Sequence, residues 1–260
     1  MNKNIQMYER ELLEGLPIRT GGLNLYPLTV RRMRELNENK EALSVMKQRL
    51  PAQLARMPYL YLFAVLDAAS ETTKLTEQVR NLLSMSLKTE REKLKYMISP
   101  DEQKAWIETE QDGVKIKITE ALFKQLRKII AMQNAIELPD ERGNLEILED
   151  EAELESRRAA ELEQDDITLQ IAYAEISGKS LTEVRDMTIY EFWRHIEARD
   201  LIEKYRAIET AVYSGFVSYK GGSPVPSWRY PKKKFNTHGM EKLSKVTKKA
   251  GGLTNAPASK

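Results

Sequence analysis

Two blocks of opposite charge constrain this chain more than any other feature. Between residues 137 and 166 there are thirteen Asp or Glu against three Arg, a net of −10. Between 220 and 260 there are ten Lys or Arg against one Glu, a net of +9. The whole chain carries 41 Lys and Arg against 39 Asp and Glu, so its net charge of +2 hides the segregation. The acidic block is rich in Glu, Leu, Ala and Arg, which predicts a solvated helical connector. The basic block opens on Gly221-Gly222-Ser223-Pro224-Val225-Pro226. Two prolines without an N–H, set beside paired glycines, stop any helix there. The tail that follows buries too little apolar surface to offset its ordering entropy, so it is expected to be flexible or to order on binding, with Trp228 and Tyr230 able to fold back onto the body. This division predicts an N-terminal region 1–138, an acidic connector 139–166, a helical unit 167–219 and a basic tail 220–260.

Within the first region, apolar spacing alternates between period two and period 3.6. The runs 16–20 and 23–28 flank Gly21-Gly22, a pair able to take positive φ on both residues and hence a hairpin turn. Helices are expected at 29–39, 41–50, 58–69 and 72–96, the second ended by Pro51. Alternating runs 105–110 and 114–118 flank Gln111-Asp112-Gly113, a second hairpin signal. Thr119 then opens a helix to about 135. In the C-terminal unit a helix ends at Gly178. Ser180-Leu181-Thr182-Glu183 and Thr188-Ile189-Tyr190-Glu191 are two capping boxes, in which a hydroxyl and a carboxylate satisfy each other's backbone amides. The second opens a long helix to about 216. The fold class is therefore mainly α (α+β), with two short β-hairpins in the N-terminal half, an acidic helical connector, a small C-terminal helical unit and a basic, flexible tail.

The residue types do not favour catalysis. With no cysteine there are no disulfides, thiolate nucleophiles or cysteinyl zinc sites. The two histidines, His195 and His238, form no metal-ligand pattern with nearby carboxylates and sit in no nucleophile motif. The glycine pairs match no phosphate-binding loop. The acidic run has no apolar pocket that would raise a carboxyl pKa. No enzyme activity and no cofactor or metal is expected. The longest unbroken apolar run, 59–66, is eight residues, against the roughly 20 a membrane-crossing helix needs. The opening residues show no charged-then-apolar leader, and a cytoplasmic protein is expected.

Two binding surfaces remain. The long C-terminal helix carries Phe192, Trp193, Tyr205 and Phe216, aromatic anchors of the kind that dominate interfaces, although such a stripe more often belongs to a core. The tail sets Arg229, Lys232, Lys233 and Lys234 among Trp228, Tyr230 and Phe235, a weaker nucleic-acid signal of cations interleaved with stacking rings.

Three stretches resemble the tail-assembly, chaperone-like proteins of tailed bacteriophages. They are Gly22-Leu23-Asn24-Leu25-Tyr26-Pro27-Leu28-Thr29-Val30, then Ile129-Ile130-Ala131-Met132-Gln133-Asn134-Ala135-Ile136-Glu137-Leu138-Pro139, and the turn 177–192 from Ser177-Gly178-Lys179-Ser180 through Met187 to Phe192. The third is the most specific, and much of it encodes helix caps. The resemblance implies a non-enzymatic tail morphogenesis protein that binds another tail component, such as the tape-measure protein, in the host cytoplasm during assembly. A minor structural subunit of the virion tail or baseplate is the alternative, and a nucleic-acid-associated protein acting through the basic tail is another. The resemblance brings no catalytic residues.

Overall fold

The computed structural model describes residues 7–70, 72–111, 113–139 and 166–214. The acidic connector from 140 to 165 and the tail lie outside the described residues. Helix α1 (Glu9–Leu13) leads to strands β1 (Ile18–Thr20) and β2 (Leu23–Leu25). A 3-10 turn (Val30–Arg32) enters α2 (Met33–Asn39), and the short helices α3 (Glu41–Ser44) and α4 (Ala52–Ala55) follow. Next come α5 (Tyr59–Ala69), α6 (Leu75–Leu87), strands β3 (Lys95–Ser99), β4 (Lys104–Gln111) and β5 (Val114–Ile118), and α7 (Glu120–Gln133). The C-terminal unit contains α8 (Asp166–Ser177), α9 (Leu181–Asp186) and α10 (Ile189–Tyr213). The chain is thus mainly helical with two small antiparallel sheets, as its sequence pattern predicts.

The first hairpin pairs Ile18 with Leu25 and Thr20 with Leu23. Gly21 and Gly22 take φ of +56° and +81°, the two positive values that a two-residue hairpin turn needs. A side chain on Gly21 would also meet Leu122 Cδ1 of α7 at 2.4 Å, so the turn is pressed against that helix.

Two expectations from the sequence are corrected. The helix expected over 72–96 ends at Leu87, where Lys88 turns left-handed at φ 51°. Its last residues instead form β3, which pairs Tyr96 with Ile107 and Ser99 with Lys104. The second expected hairpin, β4–β5, is therefore two strands of a three-stranded sheet. Leu94, buried and in helical phase with Leu87, carried the misleading period. The helix expected over 41–50 stops after Ser44. Arg127 Nε and Nη2 donate to the Leu43 carbonyl at 2.8 and 2.6 Å, taking up the acceptor that a continuing helix would use.

Several helix starts are capped by distant residues. The Glu120 carboxylate accepts from Tyr59 N at 2.9 Å and Leu60 N at 3.2 Å, capping α5. Asp67 accepts from Leu75 N at 2.7 Å and Thr76 N at 2.9 Å, capping α6. An anionic acceptor at a helix N-terminus satisfies orphan amides and complements the helix dipole. The Tyr96 hydroxyl donates to the Leu60 carbonyl. Burial, reinforced by Asp67 and Glu120, pushes its pKa up, so it stays a donor.

A single buried cluster runs from Leu12 to Phe192 and takes side chains from every α-helix except α4, and from both sheets. The C-terminal unit contributes Tyr173, Ala174, Val184, Met187, Ile189, Tyr190 and Phe192 to it.

Candidate partner-binding surface

The three stretches singled out in the sequence meet at one place, the exit from the first hairpin. Thr29 and Thr188 form an antiparallel bridge, with Val30 N donating to Met187 O at 3.0 Å and Ile189 N to Leu28 O at 2.8 Å. Leu28 N donates to the Asn134 side-chain oxygen at 3.2 Å, and Gln133 Nε2 to Leu25 O at 2.9 Å. Arg31 pairs with Asp186 at 2.6 Å on the rim. This joint locks the turn between α9 and α10 onto the N-terminal region. The two predicted caps open α9 and α10. Glu183 N donates to Ser180 Oγ at 3.2 Å, and Ser180 N to the Glu183 carboxylate at 2.8 Å. The Ser180 hydroxyl, which donates to that carboxylate at 2.7 Å, and then the Ser180 amide hold the Glu183 carboxyl below its ordinary pKa. Glu191 N donates to Thr188 Oγ1 at 3.1 Å at the start of α10.

From that anchor α10 runs out of the core. Ile189, Tyr190 and Phe192 are buried, and Trp193 and Ile196 pack against the cluster. Beyond Ile196 no residue through Ala211 is buried. Seventeen residues, 197–213, therefore form an arm about 26 Å long at 1.5 Å per residue. Leu201, Tyr205 and Ile208, spaced i, i+4 and i+7, share one face of it and are half-buried.

This divides the four aromatic anchors that the sequence proposes. Phe192 is 0% exposed, with its ring edge-on to Tyr173 at 5.2 Å. It is a core residue and cannot reach a partner without unfolding the joint, so that assignment is corrected. Trp193 is half-buried, with its ring 5.6 Å from that of Phe192. Tyr205 lies on the arm. Phe216, and the tail residues Arg229, Lys232, Lys233 and Lys234, lie outside the described residues.

Two surfaces were missed in the sequence. On α8, Ile167 and Ile171 are 57% and 47% exposed while Gln170 is buried. Their i, i+4 spacing reads as a core face, and only the packing of Tyr173 and Ala174 shows that it points outward. The other is a groove of about 440 Å³ between α8 and α10. Its apolar floor is Tyr173, Ala198 and Ile202, and its walls include Arg194, Arg199 and Arg206. The Tyr173 hydroxyl lies 3.0 Å from His195 Nδ1, and Ser177 Oγ is spent on the Ala174 carbonyl. Burial, then the nearby Glu191, raise the Tyr173 pKa. Among the described residues no three His, Cys, Asp or Glu converge on a point that could hold a metal, and no helix is long and apolar enough to cross a membrane.

A family model described as the YomV second domain matches residues 160–229. That match covers α8, α9 and α10 and belongs to a phage-derived family, which points to a phage origin and does not reach tail assembly. No curated protein and no solved structure gives a significant match.

Proposed function

We propose that this chain is a non-enzymatic phage assembly protein that binds a helical segment of another tail component, such as the tape-measure protein, through its C-terminal unit. The observation that carries the reading is the two-part helix α10. One end is built into the core, and on the other Leu201 and Ile208, half-buried and outside the buried cluster, share one face at helix-in-groove spacing. The phage-derived family match to this same unit supports it. An anchored arm loses little conformational freedom on binding, so more of the apolar burial, about 25 cal/mol per Å², appears as affinity. The exposed Ile167 and Ile171 of α8 extend the apolar area available to the partner.

The test is titration of the purified chain with candidate tape-measure and baseplate proteins from the same genome. Saturable binding to one of them supports the reading, and binding to none contradicts it. Mass spectrometry of purified particles then separates a transient assembly role from a resident one by the chain's absence or presence.

A further inference from the structure

The strands of the three-stranded sheet are unequal in length, and this leaves a notch. β3 begins at Lys95, opposite Glu108, whereas β4 and β5 stay paired out to Gln111 and Val114. Residues 109–111 of β4 therefore have no β3 residue beside them, and the chain that leads into β3 forms the facing wall. That wall is fixed by α6. Arg80 donates to the Leu94 carbonyl at 2.9 Å and to the Arg91 carbonyl at 3.1 Å, and Ser84 Oγ donates to Thr89 O at 2.7 Å. The result is an open cavity of about 700 Å³ with a braced side.

The cavity is cationic. Lys93, Lys95, Lys115 and Lys117 line it against Glu108 and Glu110, a surplus of two positive charges. In the sheet register Lys95 and Lys117 flank Glu108, and Lys115 lies opposite Glu110. Glu108 already accepts from the Trp106 indole N–H at 3.0 Å, and the Lys117 ammonium rests 3.9 Å from the centroid of that ring. Among the described residues no carboxylate lies within ion-pair distance of Lys95 or Lys115. Thr109 lines the same cavity at 5% exposure, and its hydroxyl has no hydrogen-bond partner. Buried hydroxyls are normally paired, because leaving one unpaired costs free energy.

We propose that this notch binds a small phosphorylated ligand, its phosphate held by the Lys95 and Lys115 ammonium groups beside Lys117 and Thr109. A phosphate monoester carries about −1.5 to −2 at pH 7, which matches the surplus charge. Lysine binds such a group as a point charge and needs no planar fork. The cavity volume falls within the range of about 300–1,000 Å³ typical of small-molecule sites, which favours a compact ligand over a polymer. The site lies outside the C-terminal unit and stands apart from the function proposed above.

The amide NMR spectrum of the full chain is titrated with adenosine monophosphate, and separately with adenosine, at constant ionic strength. The expected result is saturable shifts at Lys95, Thr109 and Gly113 with the monophosphate and none with adenosine. Lys95→Gln/Lys115→Gln, two exposed changes, should weaken binding at least fivefold with an unchanged melting temperature. Lys104→Gln, on the same sheet but outside the cavity and paired with Glu102, should leave it unaltered. No saturable shift at the notch overturns the proposal, as does equal binding of adenosine or a double variant that binds like the parent. An equal loss in Lys104→Gln overturns it too, because diffuse charge alone then accounts for the binding. A single-stranded oligonucleotide that fills the notch more tightly per phosphate than the monophosphate does would assign the site to a nucleic-acid backbone instead.

Discussion

The first eight residues of α10 and the seventeen that follow share one helix and one apolar spacing, yet they live in different environments. Ile189, Tyr190 and Phe192 are sealed in the core, whereas Leu201, Tyr205 and Ile208 are only half-buried. The difference is not in the helix itself. It comes from the joint, where Leu28 and Val30 grip the backbone on either side of Thr188, whereas no residue of the arm joins the buried cluster among the described residues. Periodicity says that a face is apolar; only the neighbours decide whether that face stabilises the fold or waits for a partner.

Substitutions should break the two halves differently. Phe192→Ala removes a ring with no room to relax and should cost about 3–5 kcal/mol in chemical denaturation. Recovering near-parental stability would mean that the ring is not in the core. Asn134→Ala strips the acceptor from Leu28 N at the centre of the joint and should cost about 1–3 kcal/mol, with faster amide exchange at Leu28 as its local signature. Thr188→Ala removes the hydroxyl that accepts from Glu191 N and should cost about 1 kcal/mol. On the arm, Leu201→Gln and Ile208→Gln should each change stability by less than about 1 kcal/mol. A larger loss would show that the arm belongs to the core after all.

The smallest effect is one of pH. Glu183 has a folded-state pKa below its ordinary 4.5 because Ser180 bonds its charged form. Its contribution to stability is therefore present above the unfolded value and is lost as pH falls through the folded one. An NMR titration should place the Glu183 midpoint below that of an unstructured glutamate, and Ser180→Ala should move it back up.

Much of the fold was legible because its signals are local. Gly21-Gly22, the Gly178 stop and the Ser180–Glu183 box each act within four residues, and all appear where the sequence puts them. The misses involve distant partners. β3 exists because β4 lies beside it, α3 ends where Arg127 claims a carbonyl 84 residues away, and α5 takes its cap from Glu120. The candidate site follows the same rule. The aromatic spacing of α10 correctly marks a helix, but Phe192 and Tyr205 read alike until the joint separates them. The outward face of α8 gave no sign of itself in a sequence where isoleucines at i, i+4 normally mean a core.

The central claim is that the arm works as a surface for another macromolecule. Isothermal titration of the tape-measure protein against the parent chain and against the Leu201→Gln/Ile208→Gln double variant tests it most directly. The account predicts binding by the parent and at least a tenfold weaker Kd for a variant that melts at nearly the same temperature. Equal affinity in the two chains would contradict it.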